Sequence, residues 1–179
     1  QRLNAEQCPF DATGTIEALL IDSKYFQYPD RIDWVKQCRA WKREPKPWEN
    51  LTTNPIDMYQ FISRIDALSN EHHILTTDAG SNYYISGQVL KFERGQRELT
   101  SGAFAAMGIS LPLAIGAAVA APEKQILALT GDGSLELNIQ ELKTMSHYQL
   151  NIKLFVLQNG GYSSMKTWQD TYFEGRRID

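Results

Sequence analysis

The chain carries the stretch QILALTGDGS at residues 125–134, in which an apolar run ends abruptly in glycine and aspartate. A second apolar run, at 151–157, ends in the same way, in QNGG at 158–161. Short apolar runs that stop at Gly, Asp or Asn are typical of buried strands followed by turns. Between them, apolar residues recur at helical spacing over 135–148, which predicts a strand-helix-strand unit with parallel strands.

Upstream, a third apolar run at 73–77 predicts another strand, and a helix is expected before it. Asn54 is the predicted N-cap of that helix, with Pro55 at its first position and apolar residues at helical spacing as far as Ser69. Strands that alternate with helices predict an α/β fold, a doubly wound parallel sheet with helices on both faces. In such sheets ligands bind beyond the carboxyl ends of the strands, where the two glycine-rich turns lie.

Composition excludes several classes of protein. The 179 residues are 42% hydrophobic and 22% charged, with a net charge of -3, so the chain offers no basic surface for nucleic acid. Its two cysteines, Cys8 and Cys38, form no Cys-x-x-Cys motif, which argues against a disulfide framework or a zinc site and favours a reducing cytoplasm. The apolar stretch 107–121 is shorter than the roughly 20 residues that cross a bilayer, so it is interpreted as a buried helix and no membrane partner is expected.

The first fifty residues differ in sequence pattern from the rest of the chain. Turn-forming residues cluster at 9–14, and a helix predicted over 30–41 must end before Pro45. Residues 1–50 are therefore predicted to be the tail of a preceding middle domain plus a linker helix, and residues 51–179 the ligand-binding domain. Because the chain does not begin with Met, it is expected to be truncated at both ends relative to a longer protein.

The two turns are predicted to bring oxygen ligands to one place. Asp132 offers a carboxylate, Asn159 an amide oxygen, and Gly160 or Gly161 a backbone carbonyl that no Cβ obstructs. Mg²⁺ prefers such oxygen donors and fills its remaining positions with phosphate oxygens and water. The free N–H groups of the helix that follows Asp132 would stabilise the same phosphates. These features predict a magnesium-diphosphate site.

Other interpretations of the turns were weighed. Either turn alone could be no more than a connection between a strand and the next element. A dinucleotide-binding turn is the main competitor, but Glu136 stands where the third glycine belongs, and without a metal its carboxylate would repel a pyrophosphate. A P-loop does not fit, because no Gly-Lys-Ser/Thr follows. The pair of turns on consecutive strands favours the metal site.

The arrangement of Gly-Asp-Gly at 131–133 and Asn159 resembles the signature of thiamine-diphosphate-dependent enzymes. The acetolactate synthase branch matches best, because residues 99–117 resemble its Ser-Gly-Gly-Leu-Gly-Thr-Met-Gly segment and the helix that follows. Trp168-Gln169 also falls in register. The resemblance covers about residues 51–176, and it implies the thiamine-diphosphate-binding fold.

The resemblance implies the cofactors thiamine diphosphate and Mg²⁺ and a set of site residues. Asp132, Asn159 and the carbonyl of Gly161 correspond to the Mg²⁺ ligands. Met107 corresponds to the apolar prop that bends the cofactor into a V, and the carbonyl of Ala105 to the acceptor of its 4'-amino group; these two residues are assigned catalytic roles. The other implied cofactor-binding residues are Gly80, Ser81, Asn82, Gly131, Gly133, Ser134, Leu137 and Tyr162.

Trp168 corresponds to a residue that shapes the pocket for the second substrate. A plain core position for Met107 and a covering position at a core edge for Trp168 are the alternatives. The chain also departs from the family pattern, with Gln158 in place of the first Asn of a pair and Gly80-Ser81-Asn82 in place of Gly-Gln-His. Ser163 and Ser164 replace a Gly-Met pair.

The implied activity is that of a carboligase or lyase, which decarboxylates a 2-keto acid such as pyruvate and ligates the resulting acyl carbanion to a second carbonyl. A second subunit would supply the pyrimidine-binding domain and the catalytic glutamate, in a homodimer or homotetramer, so the chain alone is expected to be inactive. Glu136 and Glu141 are interpreted as helix-surface or packing residues. The alternatives are another thiamine-diphosphate-dependent decarboxylase or lyase with a different substrate, such as one of sugar or cell-surface biosynthesis, and a non-catalytic module that keeps the fold.

Overall fold

The computed structural model describes residues 11–22, 30–44 and 56–177. The chain divides into two compact units, at residues 1–46 and 47–179. The origin of residues 1–50 in a preceding domain stays a prediction.

The first unit contains two described helices, α1 (Ala12–Asp22) and α2 (Ile32–Arg43). Helix α2 confirms the helix predicted over 30–41. Helix α1 was not predicted, and its first turn uses two residues that the sequence marks as turn-forming. The N–H of Gly14 donates a 2.7 Å hydrogen bond to Oδ1 of Asp11, an arrangement typical of a helix N-cap.

The second unit is built on a parallel sheet, which confirms the predicted doubly wound architecture. The strands described are β1 (His73–Thr77), β2 (Arg97–Leu99), β3 (Gln125–Gly131) and β4 (Ile152–Leu157), in the spatial order β2-β1-β3-β4. The helices described are α3 (Met58–Leu68), α4 (Ser81–Val89), α5 (Ser110–Ala120), α6 (Asp132–Glu136), α7 (Glu141–His147) and α8 (Ser163–Tyr172), with a 3₁₀ turn at Gly102–Phe104. The three predicted strands are present, and β2 is an additional one.

Alternate residues of the central strands β1 and β3 pack on opposite faces of the sheet, as the twofold side-chain period of a strand requires. One face forms a core with α3 and α4, made of Ile62, Ile65, Leu75, Val89, Leu90, Leu127 and Leu129. The opposite face forms a core with α5, made of Ile74, Ala114, Ala117, Ala118, Ile126 and Ala128. Both faces of the sheet are therefore covered by helices. No helix in the described part of the chain is long and apolar enough to span a membrane.

Helix α3 begins later than predicted. Its N-cap is Asp57, whose side chain accepts a 3.0 Å hydrogen bond from the N–H of Gln60. Ile56 precedes the helix and is 83% exposed, whereas the sequence interpretation placed it on the apolar face. Aspartate is as effective an N-cap as asparagine, so Asp57 and the predicted Asn54 are both suitable cap residues. The predicted cap and first position, residues 54–55, lie outside the described residues.

The single helix predicted over 135–148 is interrupted. Helices α6 and α7 are separated by the tight turn 137–140, in which N–H groups bond three residues back, as in the hydrogen bond from Leu137 to the carbonyl of Ser134 at 3.2 Å. In this turn Nδ2 of Asn138 donates a 2.7 Å hydrogen bond to the carbonyl of Gly108. The interruption therefore joins this segment to the loop that precedes α5.

Candidate functional site

The order of the strands places a crevice between β1 and β3. The chain leaves β1 through α4 to reach β2 on one side, and it leaves β3 through α6 and α7 to reach β4 on the other. Ligands of doubly wound sheets bind at such a switch point, beyond the carboxyl ends of the strands. Here those ends carry Asp78 to Gly80 and Gly131 to Asp132.

A cavity of about 300 Å³ opens at this end of the sheet. The sequence-predicted residues that line it are Gly80, Ser81, Asn82, Ala105, Met107, Gly131, Asp132, Gly133, Ser134, Asn159, Tyr162 and Trp168. Leu137 and Gly161, also predicted, do not line it. The structure thus brings four separate loops to one cavity, and the binding role of each residue stays a prediction.

Asp132 joins the two glycine-rich turns. Its Oδ2 accepts hydrogen bonds from the backbone N–H of Gly161 at 2.7 Å and of Asn159 at 3.3 Å. Its Oδ1 accepts one from the N–H of Gly133 at 3.0 Å. The carboxylate and the Asn159 turn are therefore adjacent, and both face the same cavity.

The surroundings of Asp132 keep its carboxylate charged. Burial alone would raise the pKa of Asp132, but backbone hydrogen bonds outweigh it and hold the pKa below its usual value of 3.8. The N–H of Gly161 contributes most to this lowering, followed by those of Gly133 and Asn159. Since a carboxylate has about four lone-pair positions, three hydrogen bonds leave one position for a cation.

The turn after β4 owes its shape to three consecutive residues with positive φ, which are Gly160 (83°), Gly161 (74°) and Tyr162 (29°). Glycine adopts this conformation without steric cost, so the two glycines turn the backbone towards Asp132. Nζ of Lys166 donates a hydrogen bond to the carbonyl of Gly160 and ties the turn to α8. Gly161 contacts Asp132 through its N–H and lies just outside the cavity lining.

The two glycines of the Gly-Asp-Gly motif differ in the space that a Cβ would find at each position. A Cβ at Gly133 would lie 3.0 Å from Cε1 of Tyr162, so the ring would have to move by a few tenths of an ångström to admit a side chain there. A Cβ at Gly131 would meet no protein atom within 4 Å. Packing therefore does not explain the glycine at 131, and the open space fits a ligand that approaches the backbone closely.

The loop before α5 presents Ala105 and Met107 to the cavity. Met107 is 37% exposed, which does not support the alternative of a plain core position. Ala105 has a left-handed conformation with φ of 46°. Gly108 follows with φ of 74°, and a Cβ there would lie 2.8 Å from Cβ of Leu137. Leu137 thus packs against the loop from outside the cavity lining.

The β1–α4 loop contributes Ser81 and Asn82. Asn82 is 3% exposed, and its Oδ1 accepts a 2.8 Å hydrogen bond from the N–H of Asp78. Its Nδ2 donates to the carbonyl of Ala79 at 3.1 Å. The amide therefore closes its own loop, whereas Ser81 is half-exposed at the first position of α4.

Trp168 extends along the open side of the cavity from α8. It is 60% exposed and stacks on Tyr172 with ring centroids 4.7 Å apart. The cavity role of Trp168 and the alternative of a covering position both stay predictions. Trp168 offers a large apolar surface to a ligand.

Other lining residues were not predicted as site residues. They are Met58, Ala79, Tyr84, Leu157, Ser163, Ser164 and Met165. Met165 precedes Trp168 by one helical turn, and this spacing could have revealed it. Ser163 and Ser164 were noted only as departures from the family pattern.

The described residues contain no cluster of three or more His, Cys, Asp or Glu side chains that could hold a metal ion. A site with Asp132 as its one carboxylate instead fits Mg²⁺, which commonly combines one or two carboxylates with phosphate oxygens and water. The donor chemistry thus matches a metal that is bound together with a diphosphate.

The fold and the site define a doubly wound α/β domain whose ligand cavity lies at the carboxyl ends of its strands. The family model described as "Thiamine pyrophosphate enzyme, C-terminal TPP binding domain" matches residues 78–179, and the chain belongs to this family. The match begins at Asp78 and covers all four loops that meet at the cavity. It confirms the resemblance to thiamine-diphosphate-dependent enzymes inferred from the sequence.

Individual relatives point in the same direction. The chain is 36% identical to "Acetolactate synthase isozyme 1 large subunit" of Escherichia coli over 145 residues, which are 80% of this chain and 26% of that protein. It is 32% identical to "Acetolactate synthase 1, chloroplastic" of Nicotiana tabacum, over 77% of this chain and 22% of that protein. It is 28% identical to "Probable acetolactate synthase large subunit" of Methanocaldococcus jannaschii, over 94% of this chain and 30% of that protein. The chain spans about a quarter of the length of such curated relatives.

Proposed function

We propose that this chain is the thiamine-diphosphate- and Mg²⁺-binding domain of an acetolactate synthase-like enzyme. Such an enzyme decarboxylates a 2-keto acid such as pyruvate and joins the acyl group to a second carbonyl. The observation that carries the proposal is the hydrogen bonding of Asp132 to Asn159 and Gly161 beside the cavity at the switch point. The names of the relatives support the reaction class.

In this proposal Mg²⁺ is held by the carboxylate of Asp132, the side-chain oxygen of Asn159 and the carbonyl of Gly161. The lowered pKa of Asp132 supports this role, because the deprotonated carboxylate is the form that binds a cation. The diphosphate completes the coordination of the metal. The open space at Gly131 supports a close approach of the diphosphate to the backbone.

Thiamine diphosphate, when bound, supplies the nucleophilic carbon and the electron sink for breaking and forming the carbon–carbon bonds. The chain's own residues bind and orient it. Met107 would support the cofactor between its two rings, and the carbonyl of Ala105 would accept a hydrogen bond from its amino group. Trp168 borders the space that remains for the second substrate.

The proposal requires a second subunit. Among the described residues that line the cavity, Asp132 is the one acidic side chain. If it binds the metal, the acid that activates the cofactor must come from elsewhere, which fits a glutamate from the pyrimidine-binding domain of a partner. A homodimer or homotetramer, an inactive isolated chain, a cytoplasmic location and the lack of nucleic-acid or membrane partners are parts of this proposal.

A different substrate is the second candidate. Ser81, Ser163 and Ser164 line the cavity with hydroxyl groups, and the serine pair stands where the family carries Gly-Met. Hydroxyl groups favour a polar acceptor, such as a sugar-derived aldehyde, over an aliphatic keto acid. The reaction class would be unchanged.

The test is product analysis of the intact enzyme by NMR, with pyruvate alone and with pyruvate plus hydroxylated aldehydes. Acetolactate that forms only with thiamine diphosphate and Mg²⁺ supports the leading proposal. A product made only with a hydroxylated aldehyde supports the second candidate. Binding of the cofactor without turnover of any 2-keto acid would contradict both and favour the non-catalytic module.

A further inference from the structure

A buried carboxylate lies beneath the cavity and has no part in the function proposed so far. Asp78, directly after β1, is 1% exposed. One of its oxygens accepts a 2.9 Å hydrogen bond from the backbone N–H of Ser110, and the other accepts from the hydroxyl of Thr130. Asp78 thus connects the end of β1 to the start of α5 and to the end of β3.

The same carboxylate acts on the loop before α5. Its hydrogen bond from the N–H of Ser110 fixes the first residue of α5, which directly follows that loop. Burial nevertheless raises the pKa of Asp78 above its usual value of 3.8. Since burial of a charge is costly, retention of a carboxylate here calls for a role that a neutral core residue would not fill.

Gly108, two residues before Ser110, is held by Asn138. Nδ2 of Asn138 donates a 2.7 Å hydrogen bond to the carbonyl of Gly108. The carbonyl oxygen of Ser134 would lie 3.1 Å from a Cβ at Gly108, and Cβ of Leu137 2.8 Å from it. Gly108 is therefore fixed through its carbonyl and by close packing, while Asp78 holds the N–H of Ser110 two residues further on.

The residue next to Gly108 is Met107, which lines the cavity together with Ala105. With the carbonyl of Gly108 held by Asn138 and the N–H of Ser110 held by Asp78, the backbone of Met107 has little freedom to shift. A cofactor that must be bent against Met107 and bonded to the carbonyl of Ala105 needs both groups placed within a fraction of an ångström.

We propose that Asp78 and Asn138 are positioning residues that together clamp the segment 108–110, Asn138 through the carbonyl of Gly108 and Asp78 through the N–H of Ser110, and thereby hold Met107 and the carbonyl of Ala105 against the bound cofactor. This inference rests on the proposed function, because it assigns the clamp to thiamine diphosphate. The two residues do not contact the cofactor themselves. Loss of Asn138 leaves the proposed Mg²⁺ ligands in place and disturbs the orientation of the rings, whereas Asp78 also accepts a hydrogen bond from Thr130, two residues before Asp132.

The experiment compares Asp78→Asn and Asn138→Leu in the intact protein with the matched control Asn151→Leu. Asn151 also donates a side-chain hydrogen bond to a backbone carbonyl, that of Lys124 at 3.1 Å, but it lies at the opposite end of β4 from the cavity. Three quantities are measured: the Kd for thiamine diphosphate with Mg²⁺, the rate of hydrogen–deuterium exchange at C2 of the bound cofactor, and backbone amide exchange over residues 105–110 without cofactor.

Both clamp variants are expected to exchange the C2 proton about tenfold to a hundredfold more slowly, the scale of a small misplacement of reacting groups. Amide exchange over 105–110 is expected to be faster, the Kd to change much less than the C2 rate, and Asn151→Leu to match the unsubstituted protein. If Asp78→Asn does not fold, Asn138→Leu alone tests the inference. Asn138 is half-buried at a turn, so its substitution is expected to leave the protein folded.

Unchanged C2 exchange in folded Asn138→Leu would overturn the inference and leave the proposed function intact. Equal slowing by Asn151→Leu would also overturn it, because the effect would then be general destabilisation. Lack of thiamine diphosphate binding by the unsubstituted protein would overturn the proposed function and this inference together.

Discussion

Oδ2 of Asp132 accepts a 2.7 Å hydrogen bond from the N–H of Gly161, which joins the end of β3 to the turn after β4. The bond forms because positive φ at Gly160 and Gly161 turns the backbone towards the carboxylate. An acidic side chain and a glycine turn are thus joined directly. The geometry of the site belongs to the fold itself.

The packing of Gly133 leads to a prediction about stability. In Gly133→Ala the new Cβ would lie 3.0 Å from the ring of Tyr162 and 3.3 Å from its backbone nitrogen, so the loop must shift. We expect the free energy of unfolding to fall by about 1–3 kcal/mol, the usual cost of overpacking. Urea denaturation measures it.

The control for this variant is Gly87→Ala. Gly87 lies inside α4 and a Cβ there meets nothing within 4 Å, so alanine should be neutral or stabilise by up to about 1 kcal/mol. An unchanged free energy of unfolding in Gly133→Ala would show that Tyr162 does not pack as described.

Glu98 predicts a dependence of stability on pH. Burial in β2 raises its pKa above the usual 4.5, opposed by a 2.8 Å hydrogen bond from the hydroxyl of Thr77. The folded protein therefore holds this proton to a higher pH than the unfolded chain does. The contribution of Glu98 to the free energy of unfolding is fully present below pH 4.5 and is lost as the pH rises through the raised pKa.

Glu98→Gln keeps an oxygen for the Thr77 hydroxyl and removes the titration. We expect the free energy of unfolding of Glu98→Gln, relative to that of the unsubstituted protein, to increase as the pH rises from 4.5. The difference should become constant above the raised pKa of Glu98. Urea denaturation across a pH series measures it, with the exposed Glu123→Gln as control. A difference that shrinks over this range would contradict the assignment.

The position of Trp168 leads us to expect that its substitution affects binding of the second substrate and not binding of the cofactor. Trp168→Leu removes the aromatic surface at the open side of the cavity and its stacking on Tyr172. In the intact enzyme we expect KM for the second substrate to rise about tenfold, the scale of lost apolar pocket contacts, with Kd for thiamine diphosphate unchanged. Tyr148→Leu, an exposed aromatic outside the cavity lining, is the control, and equal KM values in both variants would argue against the role of Trp168.

The main features of the fold could be predicted from local patterns. The strand 73–77 has the predicted bounds, because an apolar run ended by Asp78 is distinctive in itself. The meeting of Asp132 and Asn159 follows from parallel strands whose carboxyl ends share one edge. Strand β2 was missed because its three residues, Arg97 to Leu99, include two charged ones and pair with β1 through long-range contacts.

Other features depend on contacts that no local pattern reports. The break between α6 and α7 accompanies the hydrogen bond of Asn138 to Gly108, thirty positions away in the chain. In the sequence, Asp78 is recognisable only as the residue that ends an apolar run. Its hydrogen-bond partners Ser110 and Thr130 are 32 and 52 residues away in the chain. Periodicity within one segment carries no information on such pairs.

The most direct test of the magnesium-diphosphate site is calorimetric titration of the intact protein with thiamine diphosphate, with and without Mg²⁺, in Asp132→Ala and Met107→Ala. We expect Asp132→Ala to lose Mg²⁺-dependent binding by at least about a hundredfold, since even the loss of an outer-shell partner costs 10–100-fold. Met107→Ala should keep its dependence on Mg²⁺, because Met107 is not one of the proposed metal ligands. Equal losses in the two variants, or binding by Asp132→Ala that still strengthens with Mg²⁺ as in the unsubstituted protein, would contradict the account.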